Sequence, residues 1–153
     1  MPLVDTKYFG ALPYSGESVF DFPLGLPAFE AECSFVPIEL PEHAPLVFLQ
    51  SLTNPELCFL ALPVQVVDRE YRLRIAAEDL AALGLDQHHQ PALGADVLVL
   101  TLISLRGSFS GTANLMAPIV VNLKNRRAVQ AIRDDRAYSH QHPLSQKARE
   151  EAC

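Results

Sequence analysis

Two pairs of histidines are the residues of this chain whose type and spacing come closest to metal-ion chemistry. His88 and His89 are adjacent, and His140 and His142 are separated by one residue. Alternate side chains of an extended segment point to the same side, so His140 and His142 could share one metal ion. Neither pair has a cysteine or carboxylate partner at ligand spacing. We therefore expect no metal site and no cofactor.

Nucleophilic and acid–base chemistry has equally little support. Residues 107–111 read Gly–Ser–Phe–Ser–Gly, but a nucleophile elbow needs serine at the centre, where this chain has Phe109. We predict a turn there. The adjacent acids at 78–79 and 134–135 fit a helix flank and a solvated loop better than a catalytic pair. The chain is thus predicted not to be an enzyme; a small β-barrel enzyme or ligand-binding module that uses the histidines remains the alternative.

Charge is distributed unevenly along the chain. The totals are 12 basic and 18 acidic residues, a net charge of −6. Residues 1–56 carry one base, Lys7, against the acids Asp5, Glu17, Asp21, Glu30, Glu32, Glu39, Glu42 and Glu56. Such a surface repels nucleic acid and attracts basic proteins. The alternative interpretation is a solvated surface that only keeps the protein soluble.

The stretch from Lys124 to Arg136 is the one candidate for nucleic-acid binding. It holds five bases against Asp134 and Asp135, but no aromatic side chains are interleaved for base stacking. We therefore expect no direct contact with nucleic acid.

Length and composition predict one globular domain. The chain has 153 residues, of which 49% are hydrophobic, enough for a core without a disulfide or a metal. Cys33 and Cys58 lie in apolar runs and are expected to be buried free thiols, and Cys153 an exposed one. The start of the chain lacks the pattern of a secretory signal, and no apolar run approaches bilayer length. These features predict a soluble cytoplasmic protein that does not bind membranes.

Short alternating or apolar runs, separated by 12 prolines, predict a mainly β fold. We expect strands at 19–22, 35–40, 71–75, 113–116, 119–123 and 128–132. Residues 46–52 and 57–62 should form a hairpin around Asn54–Pro55, and Asn125–Arg126 should turn the last strand pair. The apolar run 96–105 should be a central strand buried on both faces. Residues 76–83 predict one short helix that stops at Gly84.

Together these elements predict a small antiparallel β-barrel or sandwich with one short helix. The domain should span residues 1–144. The chain is polar from Arg136 onward and is expected to fray, and residues 145–153 should form a disordered tail.

Three segments, taken in order, carry a family resemblance. Residues 20–30 read FDFPLGLPAFE, residues 49–59 read LQSLTNPELCF, and residues 113–122 read ANLMAPIVVN, followed by Gln130. This trio resembles the signature of the flagellar assembly factor FliW family, and residues 138–144 resemble its closing segment. The resemblance covers about residues 18–144.

The resemblance implies a binding switch without a cofactor. Members of this family are small β-barrel-like proteins that bind newly made flagellin in the cytoplasm. They also bind the translational repressor CsrA, at a surface of CsrA outside its RNA-binding face. When flagellin is exported, the freed factor captures CsrA and flagellin translation resumes.

Which residues make these contacts is a separate question. In the first segment, Pro23, Gly25 and Pro27 should shape a turn that the phenylalanines 20, 22 and 29 anchor in the core. Asn114 and Asn122 can fix strand ends through side-chain-to-backbone hydrogen bonds, or contact a partner. The candidate partner-binding residues are Asp21, Glu30, Glu32, Glu56, Asn114 and Asn122.

Ala28 is one departure from the family pattern, which often has glycine at this position. If the backbone there needs a positive φ, alanine would strain it.

Overall fold

The structure, a computed structural model, describes residues 2–106 and 110–144. It is mainly β, with two antiparallel sheets and one helix of seven residues. The first sheet is the hairpin of β1 (Leu3–Thr6) and β2 (Gly10–Pro13). The second contains β3 (Phe20–Asp21), β4 (Ser34–Ile38), β5 (Val47–Ser51), β6 (Cys58–Pro63), β7 (Val97–Arg106), β8 (Ser110–Ala113), β9 (Ile119–Asn122), β10 (Ala128–Gln130) and β11 (His142–Pro143).

The strand order of the large sheet is β10-β9-β7-β6-β5-β4-β3. Strand β8 lies off this order and forms a branch. The branch is possible because β7 is long: its first half pairs with β9 and its second half with β8. Strand β11 then pairs with β8. The predicted hairpin of β5 and β6 is confirmed, with Gln50 opposite Cys58 next to its loop.

The two ends of this strand order, β3 and the turn that leads into β10, meet at one point. Asp21 and Arg127 form an isolated parallel bridge, and the Asp21 amide donates to the Arg126 carbonyl at 3.0 Å. The sheet is thus curled but is not a closed barrel within the described residues.

Two apolar clusters lie on opposite faces of the central strands. The cluster inside the curl joins Phe20, Phe35 and Leu49 to Leu100 of β7. On the other face, Val97 and Val99 of β7 belong to the cluster that includes the helix. The prediction of a central strand buried on both faces is confirmed for this half of β7, whereas Ser104 and Leu105 near its far end are exposed.

The predicted short helix is present as α2 (Ala77–Leu83), preceded by the single turn α1 (Val64–Val67). Gly84 ends α2 as expected: its φ of 77° is left-handed, and its amide donates to the Leu80 and Ala81 carbonyls. In the part of the chain that the structure describes, no helix has the length and apolar character needed to cross a bilayer.

The predicted strand at 71–75 is wrong. The side chains do alternate, with Tyr71 and Ile75 buried and Arg72 exposed, but the backbone pairs with side chains in place of a strand. The Ile75 amide and carbonyl bond the Gln90 side chain, at 2.8 and 2.9 Å. The Arg72 amide donates to the Tyr138 hydroxyl at 3.0 Å. Alternation reports one-sided burial and does not by itself identify a strand partner.

Two further predictions need correction. The strand expected at 113–116 lies instead at Ser110–Ala113, because residue 113 ends its pairing with β7. Residues 136–144 do not fray: β11 pairs with β8, and Leu144 is buried. Residues 107–109 of the expected turn, the expected tail 145–153 and Cys153 lie outside the described residues.

Candidate partner-binding surface

Residues 22–33 form a tight loop that leaves β3 and returns to β4. The Phe22 amide donates to the Cys33 carbonyl at 2.7 Å and closes the loop, and the Gly25 amide donates to the Phe22 carbonyl. Gly25 has a φ of +67°, and a Cβ there would lie 2.5 Å from the Glu30 carbonyl oxygen. Only glycine allows the two arms of this loop to approach so closely.

The phenylalanines of this loop divide between the core and the surface. Phe20 and Phe22 are buried as predicted, and Phe22 packs edge-on against Phe35 with ring centroids 5.5 Å apart. The prediction that Phe29 is a core anchor is wrong, since it is 41% exposed and packs edge-on against Phe59. Leu24 is 58% exposed. The loop therefore carries apolar side chains on its outer surface.

The backbone at Ala28 has the positive φ that would strain an alanine at this position. Its φ is +71°, a region where an L-residue with a Cβ is strained. The alanine is exposed and its amide donates to the Glu30 carboxylate at 3.3 Å, so no buried contact offsets the strain.

Replacing Ala28 with glycine should therefore stabilise the protein. Glycine adopts a positive φ freely, and relief of the strain should raise the free energy of unfolding by about 1 kcal/mol. Urea unfolding monitored by circular dichroism measures the change. The matched control is Ala31→Gly in the same loop, where φ is not positive and a small loss of stability is expected. Equal effects of both substitutions would contradict the strain argument.

The four candidate acids differ in their exposure and in the hydrogen bonds that they form. Asp21, Glu30 and Glu56 are exposed. Glu32 is half-buried, and one of its carboxylate oxygens accepts hydrogen bonds from the Thr53 and Ser51 hydroxyls at 2.6 and 2.7 Å. These bonds, that of Thr53 first, lower the pKa of Glu32 below its ordinary value. Glu32 thus ties the end of the loop of residues 22–33 to the second family segment, which favours a structural role.

The two candidate asparagines also make structural hydrogen bonds. Asn114 accepts from the Ala117 amide at 3.1 Å. Asn122 is 3% exposed, donates to the Leu83 carbonyl at 2.9 Å and accepts from the Lys124 amide at 2.9 Å. It therefore holds the end of α2 against the β9–β10 turn. Its burial favours this role over contact with a partner.

Gln50 is a buried polar residue whose role was not predicted from the sequence. Its amide nitrogen lies 3.1–3.2 Å from the carbonyl oxygens of Ser51, Asn54, Pro55 and Leu57. The two hydrogens of this NH₂ group are thus directed at carbonyls in and beside the β5–β6 loop, which carries Glu56. A buried amide with its donors satisfied fixes such a loop.

Arg133 is a second buried polar residue that sequence reasoning missed as an individual. Its side chain is 4% exposed and binds both carboxylate oxygens of Asp135, at 2.8 and 2.9 Å. It also donates to the Arg72 carbonyl at 2.6 Å and lies over the Tyr138 ring. The Asp135 hydrogen bond raises the pKa of Arg133, and the same contact is the main cause of the lowered pKa of Asp135. One base of the stretch from Lys124 to Arg136 is therefore buried and already bonded within the protein.

The residues considered for metal chemistry are not assembled into a site in the part of the chain that the structure describes. Within residues 2–106 and 110–144, no three His, Cys, Asp or Glu side chains are grouped as metal ligands would be. The His89 ring forms a hydrogen bond with its neighbour Asp86, at 3.1 Å. Cys33 is exposed, so the expectation that it is buried is wrong, and Cys58 is half-buried. Burial raises the pKa of the Cys58 thiol, which disfavours the reactive thiolate.

Fold and surface together define a class: a small, mainly β protein whose described residues present an acidic and apolar loop surface. Comparison with known proteins is specific. The sequence model of the FliW protein family matches residues 3–144. The chain is 32% identical to the flagellar assembly factor FliW of Syntrophomonas wolfei over 152 residues, or 99% of this chain and 93% of the relative. It is 33% identical to that of Bacillus subtilis over 143 residues, or 93% and 96%.

A solved structure agrees with the sequence comparisons. The crystal structure of a flagellar assembly factor FliW superposes with a TM-score of 0.81 at 27% identity, covering 95% of this chain and 99% of the other. The chain belongs to the FliW family. The family resemblance predicted from the three segments and the mainly β fold are both confirmed.

Proposed function

We propose that this protein is a cytoplasmic flagellar assembly factor that acts by binding other proteins and not by catalysis. The observation that carries the proposal is the family match across residues 3–144, together with relatives named as flagellar assembly factors. The partners we propose are flagellin and the translational repressor CsrA. Free flagellin would occupy the protein, and export of flagellin would release it to capture CsrA and relieve repression of flagellin synthesis.

The surface we propose for CsrA is the loop surface, defined as residues 21–30 with Glu56 of the neighbouring loop. Its exposed carboxylates complement a basic partner, and Leu24 and Phe29 supply apolar area near them. Glu32 is better assigned to the support of this surface, and Asn122 to the attachment of α2, because their polar atoms are already bonded within the protein.

Co-purification tests the function as a whole. Tagged protein at moderate salt should retain both flagellin and CsrA from a cell extract that contains them. If it retains neither, the proposed function is wrong. No geometry within the described residues favours the alternative of a histidine-based enzyme or ligand-binding module.

Charge reversal tests the surface. The double variant Glu30→Lys/Glu56→Lys should weaken CsrA binding by about tenfold at low salt, and less at high salt because exposed charges are screened. Isothermal titration calorimetry at several salt concentrations measures this. The control Glu42→Lys/Glu70→Lys makes the same charge change at exposed acids outside the loop surface. Equal losses of CsrA affinity in both double variants would show that the net charge of the protein, and not the loop surface, causes the effect. Unchanged affinity in Glu30→Lys/Glu56→Lys would remove the loop surface from the proposal.

A further inference from the structure

A groove opens at the end of the curled sheet where β3 and β4 no longer pair. Its first part has a volume of about 420 Å³ and an apolar lining that includes Phe20, Leu98 and Leu100. Its polar edge includes Glu39 and Arg126. A second part of about 400 Å³ shares Glu39 and Pro63 and runs past Pro41 and Pro45. The volumes are in the range of sites that hold a ligand.

The groove follows a strand edge that no strand pairs with among residues 2–106 and 110–144. The Leu52 amide donates to the Ser34 carbonyl, so by alternation the hydrogen-bonded positions of β4 toward β5 are Ser34, Val36 and Ile38. The backbone groups of residues 37 and 39 therefore point to the other edge. Strand β3 covers that edge only opposite residues 34 and 35. The Pro37 carbonyl and the Glu39 amide are thus directed to where a further strand would lie.

Arg126 at the edge of the groove is unusual in both conformation and charge. Its φ is +62°, a costly value for a residue with a Cβ. Among the described residues it forms no ion pair, and Lys124 and Arg127 beside it make this turn locally basic in a chain of net charge −6. A strained, unpaired arginine over an apolar floor is suited to a carboxylate that comes from another molecule.

We propose that this groove binds an extended segment of a partner protein that carries an apolar side chain next to an acidic side chain. The segment would add to the open edge of β4 through the Pro37 carbonyl and the Glu39 amide. Its apolar side chain would cover Leu98 and Leu100, and its carboxylate would pair with Arg126. The Glu39 carboxylate would disfavour a second acid at the other end of the segment. The inference goes beyond the function proposed above, since the loop surface does not include this groove.

Selection from peptide libraries tests the proposal without knowledge of the partner. Random octapeptides displayed inside a phage coat protein have no free carboxyl terminus, so only side-chain carboxylates are offered. Selection on the wild-type protein should enrich Asp or Glu beside apolar residues. The best sequence is then made as an acetylated, amidated peptide, with a matched version in which the acid is replaced by its amide. Titration calorimetry measures both.

Arg126→Asn is the decisive variant, because asparagine tolerates a positive φ and carries no charge. It should bind the acidic peptide about tenfold or more weakly and no longer distinguish acid from amide. Its melting temperature should be unchanged or higher. The matched control is Arg127→Asn, which removes the same charge next to the groove and should leave the affinity within about twofold.

Four results would overturn the proposal. The first is that the library displayed inside the coat protein shows no enrichment of acidic sequences. The second is an enrichment that Arg126→Asn does not alter. The third is an enrichment that occurs only in a second library, whose peptides have free carboxyl termini. The fourth is a loss of stability in Arg126→Asn, which would mean that the arginine is retained for the fold.

Discussion

Replacing Gly25 with alanine should lower the free energy of unfolding by about 3 kcal/mol, the larger part of it from one contact. The positive φ alone costs a residue with a Cβ about 1 kcal/mol. The remainder arises because the new Cβ would lie 2.5–2.9 Å from the backbone of Glu30, which cannot move without opening the loop. Urea unfolding at 25 °C measures the loss.

Gly10→Ala is the control that separates these two causes. Gly10 has the same φ of +67° as Gly25, but a Cβ there would meet nothing within 4 Å. It should therefore lose only about 1 kcal/mol. If the two variants were equally destabilised, close packing of the loop against Glu30 would not be the reason for glycine at position 25.

Gly25→Ala should also affect partner binding at temperatures where the protein is still folded. Glu30 and the exposed Phe29 lie on the loop that the new Cβ would push apart. We expect CsrA affinity to fall in Gly25→Ala and not in Gly10→Ala, although both remain folded. Calorimetric titration at 15 °C compares them.

The fold could be predicted from the sequence where the pattern of buried side chains comes from a strand that pairs within the sheet. The central strand β7 is an example, since a strand buried on both faces must be apolar at nearly every position. At Ala28 the family resemblance raised a positive φ only as a condition, and the structure shows that this condition is met, with a φ of +71°.

Prediction failed where side chains are buried on one side but the backbone does not pair with a neighbouring strand. The alternation of Tyr71 to Ile75 is real, but its backbone partners are side chains of Gln90, Arg133 and Tyr138, far away in sequence. No local pattern identifies partners of that kind. For the same reason residues 136–144 look polar enough to fray, whereas Leu144 is held against Gly111.

The site shows the same limit. Charge and turn residues indicated this loop as a candidate surface, but they could not distinguish an exposed acid from one that braces the loop. Glu30 and Glu32 are two positions apart, and only Glu32 meets hydroxyls from the neighbouring hairpin. Phe22 and Phe29 could not be distinguished from the sequence either, yet Phe22, before the turn at Gly25, is 1% exposed and Phe29, after it, is 41% exposed.

Replacing Arg133 with methionine should lower the free energy of unfolding by about 3 kcal/mol. Methionine keeps much of the apolar stem but removes the guanidinium, which closes residues 133–138 onto residues 71–72. The Arg72 carbonyl would lose its donor, at 2.6 Å, and Asp135 would lose a partner that holds both its oxygens. The ring of Tyr138 would lose the cation above it.

The loss should be concentrated at the end of the domain. Tyr138 packs on Tyr71 with ring centroids 4.5 Å apart, and the Leu115 amide donates to the Ser139 carbonyl, so Arg133 anchors the segment that leads to β11. Hydrogen exchange should therefore show faster exchange at Leu115 and Leu144 than in the wild type, with little change in β5. Arg136→Met, at an exposed arginine three residues away, should change stability by less than about 0.5 kcal/mol. Equal protection at Leu144 in both variants would show that β11 holds itself in place, and that Arg133 only stabilises the loop around it.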